Sequence, residues 1–227
     1  VEDTTYTLKE DPSKWYYGIG ARASFLPVPG GEQEWFGLDK AGNVWGYTVG
    51  IEGVFKHKGT SYIPYVMFTQ LSNGGGAAYR EKGDDITETE IWSVDWKSVV
   101  VGIDFRGSYT IKDWAYFTYG AGIGFIFRTD PKGNSLVRNE AYVDPASGKW
   151  VPCDGPGNPP TGAYCEVDGG HYKRNWEGWA ADPFYAPFID IMLGFLFKPI
   201  PNLYVSAEVG LVLPVLPAMG LRMGYLF

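Results

Sequence analysis

Alternation with a period of two residues runs through most of this 227-residue chain, and it restricts the fold more than any other feature. The last segment shows it most clearly: one face carries Met219, Leu221, Met223, Tyr225 and Phe227, and the other carries Gly220, Arg222 and Gly224. Because successive side chains of a β-strand point to opposite faces, this pattern predicts strands. Runs of about 18 or more apolar residues, which a membrane-spanning helix needs, do not occur. Any membrane insertion therefore has to use strands.

The same alternation recurs in eight segments, which we predict to be antiparallel strands near 17–25, 44–57, 60–71, 98–109, 114–128, 185–198, 203–213 and 219–227. Segment 60–71 is apolar on both faces, so its register stays open. The connections alternate between short ones (57–59, 111–113, 199–202) and long ones (27–43, 72–90, 129–183). The short apolar connection 214–218 is the exception. Short periplasmic turns opposite long outer loops are typical of outer-membrane barrels.

The chemistry of the two faces favours a membrane barrel over a soluble one. One face is apolar, whereas the other is mostly Gly, Ser and Thr with single charges, which suits the narrow interior of an eight-stranded barrel. Nine aromatic residues near strand ends are expected to form girdles at the lipid–water interface: Trp15, Tyr16, Tyr17, Trp45, Tyr47, Trp114, Tyr116, Tyr204 and Tyr225. We therefore predict an all-β fold: an eight-stranded antiparallel transmembrane up-and-down β-barrel with short periplasmic turns and long extracellular loops.

Net charge and chain organisation give two further expectations. The formal net charge of -7 argues against a nucleic-acid partner, which favours a basic surface. Val1 opens a polar segment, and we interpret this residue as the first one after signal-peptide cleavage. We expect residues 1–14 to form a periplasmic tail and residues 15–227 to form the barrel, including the long extracellular loop 129–183.

The end of the chain resembles a known signature. An aromatic last residue after alternating apolar positions, here Met223, Tyr225 and Phe227, resembles the C-terminal signature of bacterial outer-membrane proteins. Strand count and loop asymmetry resemble the small OmpA/OmpX/OmpW-type barrels. The resemblance implies residence in the bacterial outer membrane, contact with its lipid and lipopolysaccharide, and insertion by the outer-membrane assembly machinery. It transfers no functional residues.

Seven charged residues fall on the inward face: Arg22, Glu52, Asp104, Arg106, Asp190, Glu208 and Arg222. In a closed barrel the last two strands and the first two are neighbours, so they present Glu208, Arg222, Arg22 and Glu52 in sequence. Isolated charges in a narrow lumen are costly, which requires pairing. We hypothesise a mixed-charge network that fills the interior. The alternative is a gated or proton-conducting pore.

Loop 129–183 carries the candidate surface features. Cys153 and Cys165 are predicted to form a disulfide, since an even count in one loop is typical of an oxidising compartment; two free thiols are the alternative. The loop also holds aromatic interaction candidates, namely Trp150, Tyr164, Tyr172, Trp176 and Trp179. These rings either anchor a sugar or protein partner or pack on each other and cap the barrel.

Residue types required for catalysis are scarce. The two histidines, His57 and His171, lie at a periplasmic turn and in the long loop, and with two cysteines they match no zinc pattern. The acidic segment 81–90 matches no known calcium loop. We expect no enzyme activity, no metal and no cofactor.

The expected role is a subunit of an outer-membrane complex, with protein partners there or in the periplasm, or a surface-adhesion protein. The alternative is a narrow transport barrel for a small or hydrophobic solute, and a lipid-modifying enzyme is the least favoured.

Overall fold

The computed structural model describes residues 11, 13–28, 38–39, 43–74, 77–81, 83, 89–129, 136–144, 146–152, 174–175, 185–213 and 216–227. The strands in these ranges are β1 (Tyr16–Val28), β2 (Leu38–Asp39), β3 (Val44–His57), β4 (Thr60–Ser72), β5 (Ala77–Glu81), β6 (Glu90–Lys112), β7 (Ala115–Arg128), β8 (Leu136–Val143), β9 (Trp150–Pro152), β10 (Arg174–Asn175), β11 (Tyr185–Ile200), β12 (Leu203–Leu213) and β13 (Leu216–Leu226). No helix in this part of the chain is long and apolar enough to cross a membrane.

Eight of the strands close into an antiparallel barrel in the order β1, β3, β4, β6, β7, β11, β12, β13 and back to β1. Each barrel strand pairs with the barrel strands before and after it in the chain, which is the predicted up-and-down topology. Closure leaves no strand edge inside the lipid, where unpaired N–H and C=O groups are costly. The β3–β4 hairpin turns tightly through Lys58 (φ 50°) and Gly59 (φ 80°). Two positive φ values in succession give the type I′ turn that matches strand twist.

The outer wall of the barrel is apolar. Side chains such as Ile19, Ile51, Ile191 and Leu221 are about half exposed or more, although the surrounding strands are fully paired. A soluble protein does not leave a continuous apolar belt in water. Strand β4, whose register the sequence left open, turns its odd residues 63 to 69 inward and its even residues 62 to 68 outward. The belt therefore continues across it.

The prediction of the aromatic girdle is wrong for two residues. Tyr116 and Tyr204 are only 6% and 2% exposed and lie inside the barrel. The prediction used only the position of these residues near strand ends. The alternation of side chains along the strand decides which face a residue lies on, and Tyr204 shares its face with Ser206 and Glu208. Six of the other aromatic residues are outward and exposed: Trp15, Tyr17, Trp45, Tyr47, Trp114 and Tyr225. Tyr16 is of intermediate exposure.

Strand β6 is much longer than the predicted 98–109 segment. Its residues 90–94 pair with β8, and 90–92 pair with β5. At about 3.3 Å per residue, its 23 residues span roughly 75 Å, more than the hydrocarbon core requires. The predicted long loops 72–90 and 129–183 therefore contain strands, which extend one side of the wall beyond the barrel. These strands form by pairing, β5 and β8 with β6 and β9 and β10 with β8, so alternation within each loop did not reveal them.

Candidate functional site

A layer of charged side chains crosses the middle of the barrel. The seven residues predicted to face inward come from β1, β3, β6, β11, β12 and β13, and none is more than 7% exposed. Closure brings these strands round a lumen narrow enough for side chains to meet across it. The structure thus places all seven in one buried region.

Six of the seven charges form a closed ring in which acids and bases alternate. Its contacts are Arg22 Nη1–Asp104 Oδ2 (3.1 Å), Asp104 Oδ2–Arg106 Nη2 (2.8 Å), Arg106 Nη2–Glu208 Oε2 (3.4 Å), Glu208 Oε1–Arg222 Nη1 (3.0 Å), Arg222 Nη2–Glu52 Oε1 (2.7 Å) and Glu52 Oε2–Arg22 Nε (3.8 Å). Three guanidinium groups and three carboxylates balance in charge. Each carboxylate contacts two arginines, which offsets the cost of burying it.

Arg222 is the best-connected member of the ring. Its Nε and Nη2 donate to Glu52 at 2.8 and 2.7 Å, and its Nη1 donates to Glu208 at 3.0 Å. Such a fork geometry is specific to arginine and stronger than neutral hydrogen bonding. Arg22 and Arg222 lie opposite each other in the β1–β13 register. Glu52 contacts both and therefore separates two like charges.

Two hydroxyl groups that were not predicted to belong to the charge network donate hydrogen bonds to the ring. Tyr204 donates to Glu52 Oε1 at 2.6 Å, and Ser206 donates to Glu208 Oε1 at 3.2 Å. Both belong to β12, on the same face as Glu208. The alternation of side chains along β12 could have predicted an inward position for both residues.

Asp190 is the one predicted charge outside the ring. Its Oδ2 accepts a hydrogen bond from Tyr65 at 3.3 Å. The Arg22 guanidinium lies over the Tyr65 ring, with its Cζ 4.1 Å from the ring centroid. Tyr65 therefore connects Asp190 to the ring without an ion pair.

Apolar layers lie on both sides of the charges. Toward the outer loops are two clusters, Leu26 with Met192 and Ala218, and Tyr65 with Val100 and Phe188. Toward the short turns is a third cluster, Val54 with Ile63, Tyr204 and Leu226. A cavity of about 30 Å³ lies on this lower side, lined by Lys56, Lys198, Tyr116 and Arg222 among others. That volume has room for at least one water molecule.

The other functional candidates are the C-terminal residues, the aromatic residues and cysteines of loop 129–183, and the acidic segment 81–90. Met223, Tyr225 and Phe227 face outward, and the Phe227 N–H donates to the Tyr17 carbonyl at 2.8 Å. Trp150 begins β9 and is half-buried. Cys153, Tyr164, Cys165, Tyr172, Trp176 and Trp179 lie outside the described residues, as does most of segment 81–90.

The His57 ring stacks on Trp15 with centroids 4.7 Å apart. Among the residues that the structure describes, no three His, Cys, Asp or Glu side chains are grouped to hold a metal ion.

Removal of the Tyr204 hydroxyl tests how the ring is held. We expect Tyr204→Phe to lower the free energy of unfolding by about 1.5–3 kcal/mol, because Glu52 loses a buried donor. Urea unfolding in detergent micelles, followed by tryptophan fluorescence, measures the change. Tyr225→Phe is the matched control: Tyr225 accepts only an exposed bond from Asn202 at 3.1 Å, so its stability should change little. Equal effects of the two substitutions would contradict the assigned contact.

A closed eight-stranded antiparallel barrel with an apolar outer belt and a filled polar interior defines the class: a transmembrane β-barrel of the bacterial outer membrane. No protein-family model matches the chain, and no curated protein matches its sequence.

Solved structures show similarities at low identity. Neisserial surface protein A is 10% identical, with 93% of this chain and 95% of that chain covered and a TM-score of 0.44. Ail, the attachment invasion locus protein of Yersinia pestis, is 15% identical, with 93% and 98% covered and a TM-score of 0.35. In its complex with the heparin analogue sucrose octasulfate, Ail aligns at 12% identity, with 94% and 99% covered and a TM-score of 0.36.

Proposed function

We propose that this protein is a non-enzymatic outer-membrane barrel with a closed lumen that acts through its surface, as an interaction subunit of an outer-membrane complex or as an adhesion protein. The ring of six buried charges between two apolar layers supports this function. A conducting pore needs a continuous wet path. Here, the charges that would line such a path are engaged with each other.

The surface part of the proposal rests on the structure beyond the barrel. Strand β6 and its partners β5 and β8 extend the wall outward, and β9 extends it further through β8. Because β8 and β9 belong to loop 129–183, this part of the loop lies beyond the membrane-spanning strands. Within that loop we propose a Cys153–Cys165 disulfide, worth about 3 kcal/mol by loop closure, and aromatic anchors for a partner at Trp176 and Trp179.

Conductance tests the closed lumen. The purified barrel, reconstituted in planar bilayers, should show no large stable open state, because the charge ring and the apolar layers block the lumen. A large steady conductance in the unsubstituted protein would favour the alternative, a narrow transport barrel. Lys97→Ala should give the same recordings as the unsubstituted protein, since the Lys97–Asp95 pair is exposed on the outer wall.

Partner capture tests the surface role. The tagged barrel, extracted from native outer membranes in a gentle detergent, should bring down a protein or a surface glycan in stoichiometric amount. The double variant Trp176→Ala/Trp179→Ala should lose that partner while keeping its folded barrel. Trp15→Ala, at the end of the short turns, is the matched control and should retain the partner. Extraction of the barrel alone, with no ligand on its loops, would contradict the surface role.

A further inference from the structure

Asp104 and Asp190 converge on one position of the strand between them. They lie on β6 and β11, and both pair in register with Gly122 of β7. A β-carbon at Gly122 would overlap Asp104 Oδ1 and lie 2.6 Å from Asp190 Oδ2. Glycine at this position therefore lets two carboxyl groups share one space.

Each carboxyl group has one oxygen satisfied and one left over. Asp104 Oδ2 contacts Arg22 and Arg106, and Asp190 Oδ2 accepts from Tyr65. The Oδ1 atom of each aspartate has no hydrogen-bond partner within the described part of the chain, although the two residues are 0% and 5% exposed. A buried carboxylate oxygen without a donor is costly.

Charge balance makes the same pair unusual. The ring matches three arginines with three acids, and Asp190 adds a fourth acid beside Asp104 without an ion pair to any described residue. The charged and titratable groups that face the pair from the packed strands, directly or through the ring, are Arg22, Glu52, Tyr65, Arg106, Glu208 and Arg222. Lys56 and Lys198 lie further toward the short turns, beside Tyr116. Two carboxylates confined to one site do not readily ionise together.

We propose that Asp104 and Asp190 form a proton-binding site, in which one proton from solvent is held between their Oδ1 atoms across Gly122. The protonated oxygen donates and the other accepts, so both orphan atoms gain a partner. Release of the proton to solvent leaves two adjacent carboxylates that compete for Arg22 and Arg106. These arginines form the two longest ring contacts, at 3.8 and 3.4 Å, so the site couples the ring to pH.

Infrared spectroscopy of the folded barrel tests the proton directly. At about pH 5, where ordinary carboxyl groups are already ionised, the protein should show the carbonyl stretch of a buried protonated carboxyl group, and the band should shift in D₂O. Asp190→Asn should abolish the band. Asp144→Asn is the control, because Asp144 lies in an exposed turn and accepts from Ser147 at 2.6 Å; it should leave the band unchanged. Absence of the band, or its persistence in Asp190→Asn, would overturn the proposal.

The pH dependence of stability provides a second readout. The proposed site gains a proton on folding, so its contribution is present at low pH and is lost as the pH rises through release. As the pH rises from about 4, the ordinary carboxyl pKa, the unfolding midpoint of the unsubstituted barrel should fall relative to Asp190→Asn, whose neutral amide cannot ionise. Parallel curves for the two proteins would overturn the proposal. Stabilisation by added Na⁺ or Ca²⁺ that Asp190→Asn abolishes would also overturn it, because the occupant would then be a metal cation.

Discussion

Replacing Arg222 by alanine is expected to lower the free energy of unfolding by about 3–5 kcal/mol, the usual cost of leaving buried charges without their partner. Arg222 satisfies both Glu52 and Glu208 through three of its nitrogen atoms. The variant keeps both carboxylates in the same buried layer. Urea titration in detergent micelles measures the loss, and bilayer recordings show whether the opened ring conducts.

Two controls isolate the ring in this experiment. Arg222→Lys keeps the charge but cannot reproduce the fork, so we expect a smaller but clear loss. Lys97→Ala removes an exposed pair whose side chains are 45% and 58% accessible, and such pairs contribute at most about 1 kcal/mol. A loss at Arg222 no larger than that at Lys97 would show that the ring does not contribute to stability.

An arginine on the outer wall should have the second large effect. Leu193 is the middle apolar residue on the lipid side of β11, between Ile191 and Phe195. Arginine at the bilayer midplane of such a barrel costs about 2–4 kcal/mol, and the cost falls to about 0–1 kcal/mol near the interface. Leu193→Arg should therefore strongly destabilise the barrel folded in lipid vesicles.

Ile200→Arg is the matched variant for this test. Ile200 ends the same strand, also faces outward and is 53% exposed, but it lies beside the turn at 201–202. An arginine side chain at position 200 reaches the lipid headgroups, so we expect little change in the midpoint of unfolding from lipid vesicles. Similar costs at the two positions would contradict the assigned membrane depth, whereas a graded pair supports an apolar belt centred near Leu193.

The ring contacts could be anticipated only in part. Parity along each strand assigned all seven charges to the interior, and closure made β12, β13, β1 and β3 neighbours in the expected order. Parity did not show that Arg222 contacts Glu52 across β1, since β13 and β3 are not paired strands. Nor did it show that Asp104 and Arg106, both on β6, contact partners from β1 and β12. Those contacts depend on strand stagger and on the reach of long side chains across the lumen.

Alternation along the sequence determined the number of barrel strands and the inward and outward faces of all of them except β4, because a strand's side chains have a fixed period of two. The chemistry of those faces determined the class of protein, because lipid demands one apolar face. The tertiary structure alone decided which interior side chains meet. It joined Arg222 to Glu52, extended β6 beyond the membrane and left Asp190 outside the ring beside Asp104. The physical reason is that these features arise from register between strands far apart in the chain, which the pattern within one strand does not specify.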